Sequence, residues 1–411
     1  MNKALLVVLL SVTLDAIGIG LIFPILPTLL RELTSTVEIS ALYGAILAGY
    51  SLTLFLFAPA LGILSDRFGR RPILLIAMGG AAIDHLVMTL APNIEILIIG
   101  RLIAGMTAAS MAVATAYITD ITKEKDRAKR FGYLGACFGI GFIIGPVLGG
   151  LLGEIWVRAP FLAATFLNLL NFLLALFLLP ESRPGKKVEI SFSKFNPFSS
   201  LRWAFLFVGI RPLLIVYLGF SFVGSIYGTI WVLFTEDRYG WGAAMVGVSL
   251  ALYGFFSVVS QAGLTGPITR WLGEKRTILF GLKFEISALV LLAFFNQWWV
   301  IFVLLPFFAL GDVGGPALQS LLTSKISEEQ QGKLQGVLMS LASIASIIGP
   351  LFFTQVYAPL RAEWPGAIWL VAVVIYVLLL PIIIFGGKIW YRTLSGDEKN
   401  AYFTDNEFKN G

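Results

Sequence analysis

Residues Gly132–Gly150 read G-Y-L-G-A-C-F-G-I-G-F-I-I-G-P-V-L-G-G, inside an apolar run with no charge from Phe131 to Gly153. In water so much glycine would weaken a helix. In a membrane it lets a neighbouring backbone come close. Gly141, Gly145 and Gly149 recur every fourth residue and form one bare stripe. Pro146 lacks an N–H and bends the helix. The stretch predicts a membrane helix that packs tightly and pivots, suited to a wall between two moving halves. The plainer alternative is a glycine-rich membrane helix with no such task.

The rest of the chain agrees with a membrane setting. Of its 411 residues 57% are hydrophobic and 13% charged, and the mean hydropathy is +0.86, far from a soluble profile. A single cysteine, Cys137, and a single histidine, His85, exclude a disulfide framework and a Cys/His metal site. The first apolar run, Ala4–Leu30, is too long for a signal peptide. It lacks a small-residue cleavage site and carries Asp15, so it reads as a retained first span.

A bilayer core needs ~20 apolar residues per helix. Such runs fall at about 4–29, 41–63, 73–91, 94–119, 130–153 and 159–180, then at about 212–235, 242–264, 277–295, 298–323, 334–357 and 366–386. The expected fold is an all-α membrane protein of twelve transmembrane helices in two six-helix halves. Its bundles run 1–180 and 212–387, joined by a cytoplasmic linker 181–211 and followed by a tail 388–411. In the linker Asn196-Pro197 would start a surface helix, or the segment is a plain tether. The N-terminus, the even-numbered links and the tail hold 24 of the 30 Lys and Arg. By the positive-inside rule both termini then face the cytoplasm. The net charge of +6 is therefore an orientation signal and gives no support for nucleic-acid binding.

Gly145-Pro146 returns as Gly349-Pro350, 204 positions later, and Gly132, Gly62 and Gly69 meet Gly336, Gly266 and Gly273 at the same offset. One constant shift argues for duplicated halves. The link Gly62-Ile-Leu-Ser-Asp66-Arg67-Phe-Gly69-Arg70-Arg71 resembles the signature loop of the major facilitator superfamily, whose two halves rock about a midplane substrate site. Its glycines would permit a tight turn, Asp66 would hold an inner gate, and Arg70 and Arg71 would anchor it at the headgroups. The spacing of Gly132, Gly141, Gly145, Pro146, Gly149 and Gly150 matches the fifth-helix motif of that superfamily's proton-coupled antiporters. An uptake symporter or facilitator on the same fold is the rival, and the complete motif weighs against it. A transport-dead sensor would need a soluble domain that Lys388–Gly411 is too short to supply.

Ionisable residues inside a membrane are expensive and count as functional candidates. They are Asp15, Asp84 beside His85, Arg101, Lys283, Glu285 and Asp312. A carboxyl alternating between water and a cation is a natural proton carrier, which puts Asp15 and Asp84 first, with Arg101 as the modulating cation. The structural alternative is a buried ion pair that only fixes packing. Lys283 and Glu285 lie roughly 200° apart around a helix, and Glu285, the deeper, is the cavity candidate. Asp312, among glycines, would bind a cation or cap a helix break. Tyr227 and Trp231 could line a cavity for a flat amphiphile, and Gln261 and Gln319 are mid-span amides suited to a substrate. No ATP-binding loop, zinc-protease motif or nucleophile elbow occurs, so the chain is expected not to be an enzyme.

With these residues assembled, the chain resembles the tetracycline-efflux branch of the drug:proton antiporters. The likeness runs through Leu14–Glu32, Trp231–Trp241, Pro316–Gln319 and Gly332–Gly336. It implies proton coupling at Asp15, Asp84, Arg101 and Glu285, gating at Asp66, and a cytoplasmic-end acid at Asp120. It also implies export of a singly positive tetracycline–divalent-metal complex, with magnesium as such a metal, in exchange for a proton. No cofactor is expected beyond the proton gradient. The expected partners are a small-molecule substrate, protons and the lipid bilayer, with the chain acting as a monomer in a bacterial inner membrane. Two positions depart from the branch, Leu54 where a glutamine stands and Ser257 where a histidine stands. Glu285 replaces an aspartate, and Lys283 and Asp312 are additional charges. These departures bear on the substrate more than on the antiport mechanism, and a related amphiphile stays open.

Overall fold

The structure is a computed structural model that describes residues 3–182, 210–327 and 330–392. Among these residues twelve helices are long and apolar enough to cross a membrane. They are α1 (Lys3–Ile22), α2 (Ser40–Phe68), α3 (Arg70–Leu90), α4 (Ile94–Asp120), α5 (Glu124–Ile155) and α6 (Ala159–Leu178). The second six are α7 (Arg211–Tyr239), α8 (Ala243–Leu272), α9 (Glu274–Phe294), α10 (Val300–Thr323), α11 (Gln331–Leu360) and α12 (Ala367–Arg392). A helix satisfies its own backbone in lipid, which is why long apolar runs take this form. Most of the linker, including Asn196-Pro197, and nearly all of the tail lie outside the described residues.

The repeat is visible in the elements. Arg70–Leu90 returns as Glu274–Phe294, each bound 204 positions on. Each of these helices follows a glycine in the left-handed region, Gly69 at φ 104° and Gly273 at φ 75°, where a side chain would be strained. Even the flaws repeat. The helix α4 breaks between Thr107 and Ser110, and α10 breaks between Gly311 and Gly314.

The expected first span divides. Its helix ends at Ile22, and a short helix Leu26–Thr34 follows with a proline in its first turn. Pro24 and Pro27 cannot donate backbone hydrogen bonds, so the chain turns there. The helix α5 instead starts earlier than its apolar run, at Glu124, because Glu124 and Asp126 suit a helix N-terminus. Gly62, expected in a turn, lies inside α2, and the turn is made at Gly69 alone.

Within the first half α1 packs on α5 and α6, and within the second α7 packs on α11 and α12. The halves meet where α5 lies along α8 and α11 along α2. One apolar core unites them at the end opposite the start of α1, here the far end, with Leu29, Leu30 and Tyr43 beside Ile226, Trp231 and Phe353. At the near end the first half keeps a separate core of Leu5, Val8, Leu74, Val113 and Tyr117. Beside Gly62, Gly132, Gly135, Gly266 and Gly332 the near end has open space. The molecule is closed at the far end and parted at the near end.

Polar contacts between the halves gather at the closed end. Arg31 reaches Glu236 at 2.7 Å. Arg361 binds Glu38 at 2.5 Å across the interface and Asp237 at 2.7 Å in its own half. Tyr43 donates to the carbonyl of Gly228 at 3.4 Å. Burial raises the Glu38 carboxyl, but hydrogen bonds from Arg361 and Ser40 outweigh it and hold it below the ordinary value of 4.5. Burial likewise opposes charge on Arg361, and Glu38 and Asp237 outweigh it, so the guanidinium is held more firmly protonated than usual.

Candidate functional site

Two sets of ionisable side chains lie inside the bundle, one in each half. In the first half Asp84 of α3 and Arg101 of α4 form a two-pronged ion pair, Nε to Oδ1 at 3.0 Å and Nη2 to Oδ2. The Asp84 side chain is only 2% exposed. Tyr50 of α2 lays its ring 5.1 Å from the guanidinium carbon, adding a cation–π contact. Asp15 of α1 does not join this pair. It accepts a hydrogen bond from Ser110 at 2.6 Å, at the point where α4 resumes after its break. His85 is held by Ala81, whose carbonyl lies 2.6 Å from Nδ1, and its ring lies against Gly18 of α1.

In the second half a cavity of about 460 Å³ is walled by α7, α8, α9, α10 and α12. Phe23 and Phe142 of the first half close one side. Aromatic rings dominate it, Tyr227 stacking at 5.8 Å on the buried Trp369. Two acids face this space, Glu285 and Asp312. Tyr227 donates to Oε1 of Glu285, while the buried Oε2 has no partner. Asp312 sits at the break of α10, yet its carboxylate turns to α8. Tyr253 donates to it at 3.0 Å, and Ser257 donates as well. The helix after the break has no side-chain cap, so capping is not what Asp312 does.

Not every sequence candidate for substrate contact lies on this cavity. Tyr227, Trp231, Glu285 and Asp312 line it. Asp15 and Asp84 do not, because their partners Ser110 and Arg101 hold them within the first half. His85 lies away from the cavity, 3% exposed and bonded to its own helix. Gln261 stands exposed in a π-helical turn, Ser260–Leu264, and leans on Ser257 at 3.4 Å. Gln319 is exposed and donates to Gln335 of α11 at 3.3 Å. Lys283 is exposed while Glu285, two residues on, is buried, as their angular separation requires.

Comparisons with known proteins agree with this architecture. Residues 8–311 match the profile of the Major Facilitator Superfamily. The chain belongs to the major facilitator superfamily. It is 46% identical over 394 residues to the class C tetracycline resistance protein of Escherichia coli, covering 96% of this chain and 99% of that one. It is 45% identical to the class G tetracycline resistance protein of Vibrio anguillarum, covering 93% and 98%. Among solved structures, the nucleoside transporter NupG superposes with a TM-score of 0.77 at 14% identity, covering 94% of this chain and all of that one. The chain is a multi-pass membrane transporter and not an enzyme.

The superfamily's signature loop has its own centre here, Arg70. It is 6% exposed and binds Asp66 at 2.7 Å, Asp120 at 3.0 Å and Ser65 at 2.6 Å. Glu181 accepts from the backbone N–H of Arg70 at 2.8 Å and of Arg71 at 3.1 Å. Arg70 and Arg71 therefore do not lie free at the headgroups; four carboxylate and hydroxyl groups and the carbonyl of Leu176 occupy them. Arg67 instead rests over Phe68.

The fifth-helix motif serves two neighbours. Cβ atoms on Gly141, Gly145 or Gly149 would run into the backbone of α1, and one on Gly145 would stand 2.7 Å from Cα of Gly20. The stripe thus packs within the half. The wall between halves is made by Gly150, against Ala243 and Ala244 of α8, and by Pro146, whose carbonyl approaches Gly247. Sequence reasoning passed over Glu38, Glu236 and Asp237, because a carboxylate at the end of a span looks merely solvated until its partner is known.

Proposed function

We propose that this chain is a secondary active transporter that exports a tetracycline-like amphiphile in exchange for protons by alternating access. The drug carries a divalent metal such as magnesium when it chelates one, and the protein itself uses no cofactor. The observation that carries the reading is the Asp84–Arg101 pair, buried inside an apolar bundle where an ionic contact is costly unless it is used. Protonating Asp84 would release Arg101 and change the packing between α3 and α4. Asp15, Glu285 and Arg101 complete the coupling set. Asp66, Arg67, Gly69, Arg70, Arg71 and Asp120, beside Gly62, form the gate at the near end. The excess of Lys and Arg at that end makes it cytoplasmic, so the parted side faces inward in a bacterial inner membrane. The protein works as a monomer, since each half supplies one wall of the path.

The relatives named for tetracycline resistance supply the drug class. The test uses everted membrane vesicles energised to hold an inward proton gradient. Tetracycline with magnesium should release protons from them in the presence of wild-type protein, and Asp15→Asn and Asp84→Asn should abolish that release. Normal exchange by both variants would remove the assigned carriers, and no exchange with any drug of a broad panel would remove the exporter reading.

A further inference from the structure

The cavity in the second half has a charge problem that nothing in its wall solves. Glu285 and Asp312 both face it, and among the described residues no Lys, Arg or His lines it. The first half shows the contrast, where Asp84 has Arg101. Hydroxyl donors occupy Asp312, from Tyr253 and Ser257, and one oxygen of Glu285, from Tyr227. The other oxygen of Glu285 is the one left over. The residue is 7% exposed, and Oε2 has no hydrogen-bond partner. It rests against Gly311, where a Cβ would occupy its place. A buried carboxylate oxygen without a partner is costly unless a ligand or a proton satisfies it.

The wall also states what kind of cation fits. Tyr227, Trp231, Phe220, Phe308 and Tyr376 present rings to the space, and ring faces attract organic cations. A bare divalent ion would want six or more oxygen ligands, and no group of three acids, histidines or cysteines suited to a metal occurs among the described residues. A volume of about 460 Å³ suits a drug-sized molecule.

Resting on the exporter reading above, we propose that Asp312 is a specificity-determining residue. Together with Glu285, it makes this cavity a site for an aromatic organic cation taken without a metal ion. The hydroxyls of Tyr253 and Ser257 hold the Asp312 carboxylate in place, so its charge acts across the cavity. Ser257 is small enough to leave that carboxylate facing the space.

The test measures binding to purified full-length protein in detergent, with a chelator present. The probes are ethidium, a permanently charged aromatic cation, and N-phenylnaphthylamine, an uncharged aromatic. Wild type should bind ethidium in the chelator. Asp312→Asn should weaken ethidium about tenfold or more, leaving the neutral probe unchanged, as loss of one charge at short range requires. Asp312→Glu should restore it. Equal weakening of both probes would mean a packing role and overturn the proposal. Should Asp312→Asn fail to accumulate, the wild-type protein decides: failure to bind ethidium in the chelator overturns it. If vesicles exchange tetracycline with magnesium for protons while ethidium is not bound, this inference alone falls and the exporter reading stands.

Discussion

Asp84 and Arg101 decide at the scale of single residues what the bundle can do. Removing one partner of a buried pair leaves an uncompensated charge and destabilises by about 3–5 kcal/mol. Asp84→Asn should therefore lower the thermal stability of the purified protein as well as abolish proton release. The double variant Asp84→Asn with Arg101→Met should regain much of the stability without regaining exchange. Recovery of exchange in the double variant would reduce the pair to a packing device. The sequence showed that both residues lie in spans, since ionisable residues stand out against apolar neighbours. It did not show that Asp84 rather than Asp15 takes the arginine, because that depends on how α1, α3 and α4 rotate about their axes. The same holds for Asp312, which sequence left between capping and binding and which the structure turns toward α8.

At the scale of elements, α5 separates two tasks that its sequence ran together. Gly145 faces α1, so Gly145→Val should overpack the first half and cost about 1–3 kcal/mol, read as a lower unfolding temperature. Gly150 faces α8, where a Cβ would stand 2.8 Å from Cα of Ala244. Gly150→Val should leave the first half largely intact but hold the halves apart at the far end. Spin labels across that end, at Val37→Cys and Glu363→Cys in a Cys137→Ser background, should then report a longer distance than in the parent. An unchanged distance would mean that α5 and α8 do not form the moving wall. Spans and the duplicated glycine and proline landmarks were legible because they depend on local hydropathy, proline and glycine. The partner of each glycine face was not, since a stripe of small residues says only that something comes close.

For the whole molecule, the closed far end rests on contacts that no single span contains. Exposed or half-exposed ion pairs contribute about 0–1 kcal/mol each. Losing both Arg31 and Arg361 should therefore shift the equilibrium toward the far-open state by roughly tenfold. The same spin labels read this in the variant Arg31→Ala with Arg361→Ala, and an unchanged distance distribution would show the latch to be passive. Its pH dependence has a definite sign. The Glu38 carboxyl is held below its ordinary value, so its contribution is complete above about pH 4.5 and is lost as the pH falls through the depressed value. Across the neutral range the Glu38 contribution to the latch should be constant, and acid below the ordinary carboxylate range should remove it.

By itself the sequence determined the membrane setting, the twelve spans, the doubling of the halves and the identity of the stranded charges. Each of these follows from properties a residue carries along the chain, namely hydropathy, charge and the backbone freedom of glycine and proline. Only the tertiary structure decided which acid meets Arg101, which end of the bundle is shut and which two carboxylates share a cavity. Those depend on helix rotation and on contacts between residues far apart in the chain, such as Glu38 and Arg361, 323 positions apart. No periodicity within one helix encodes such a meeting, because it is settled by the packing of all the helices at once.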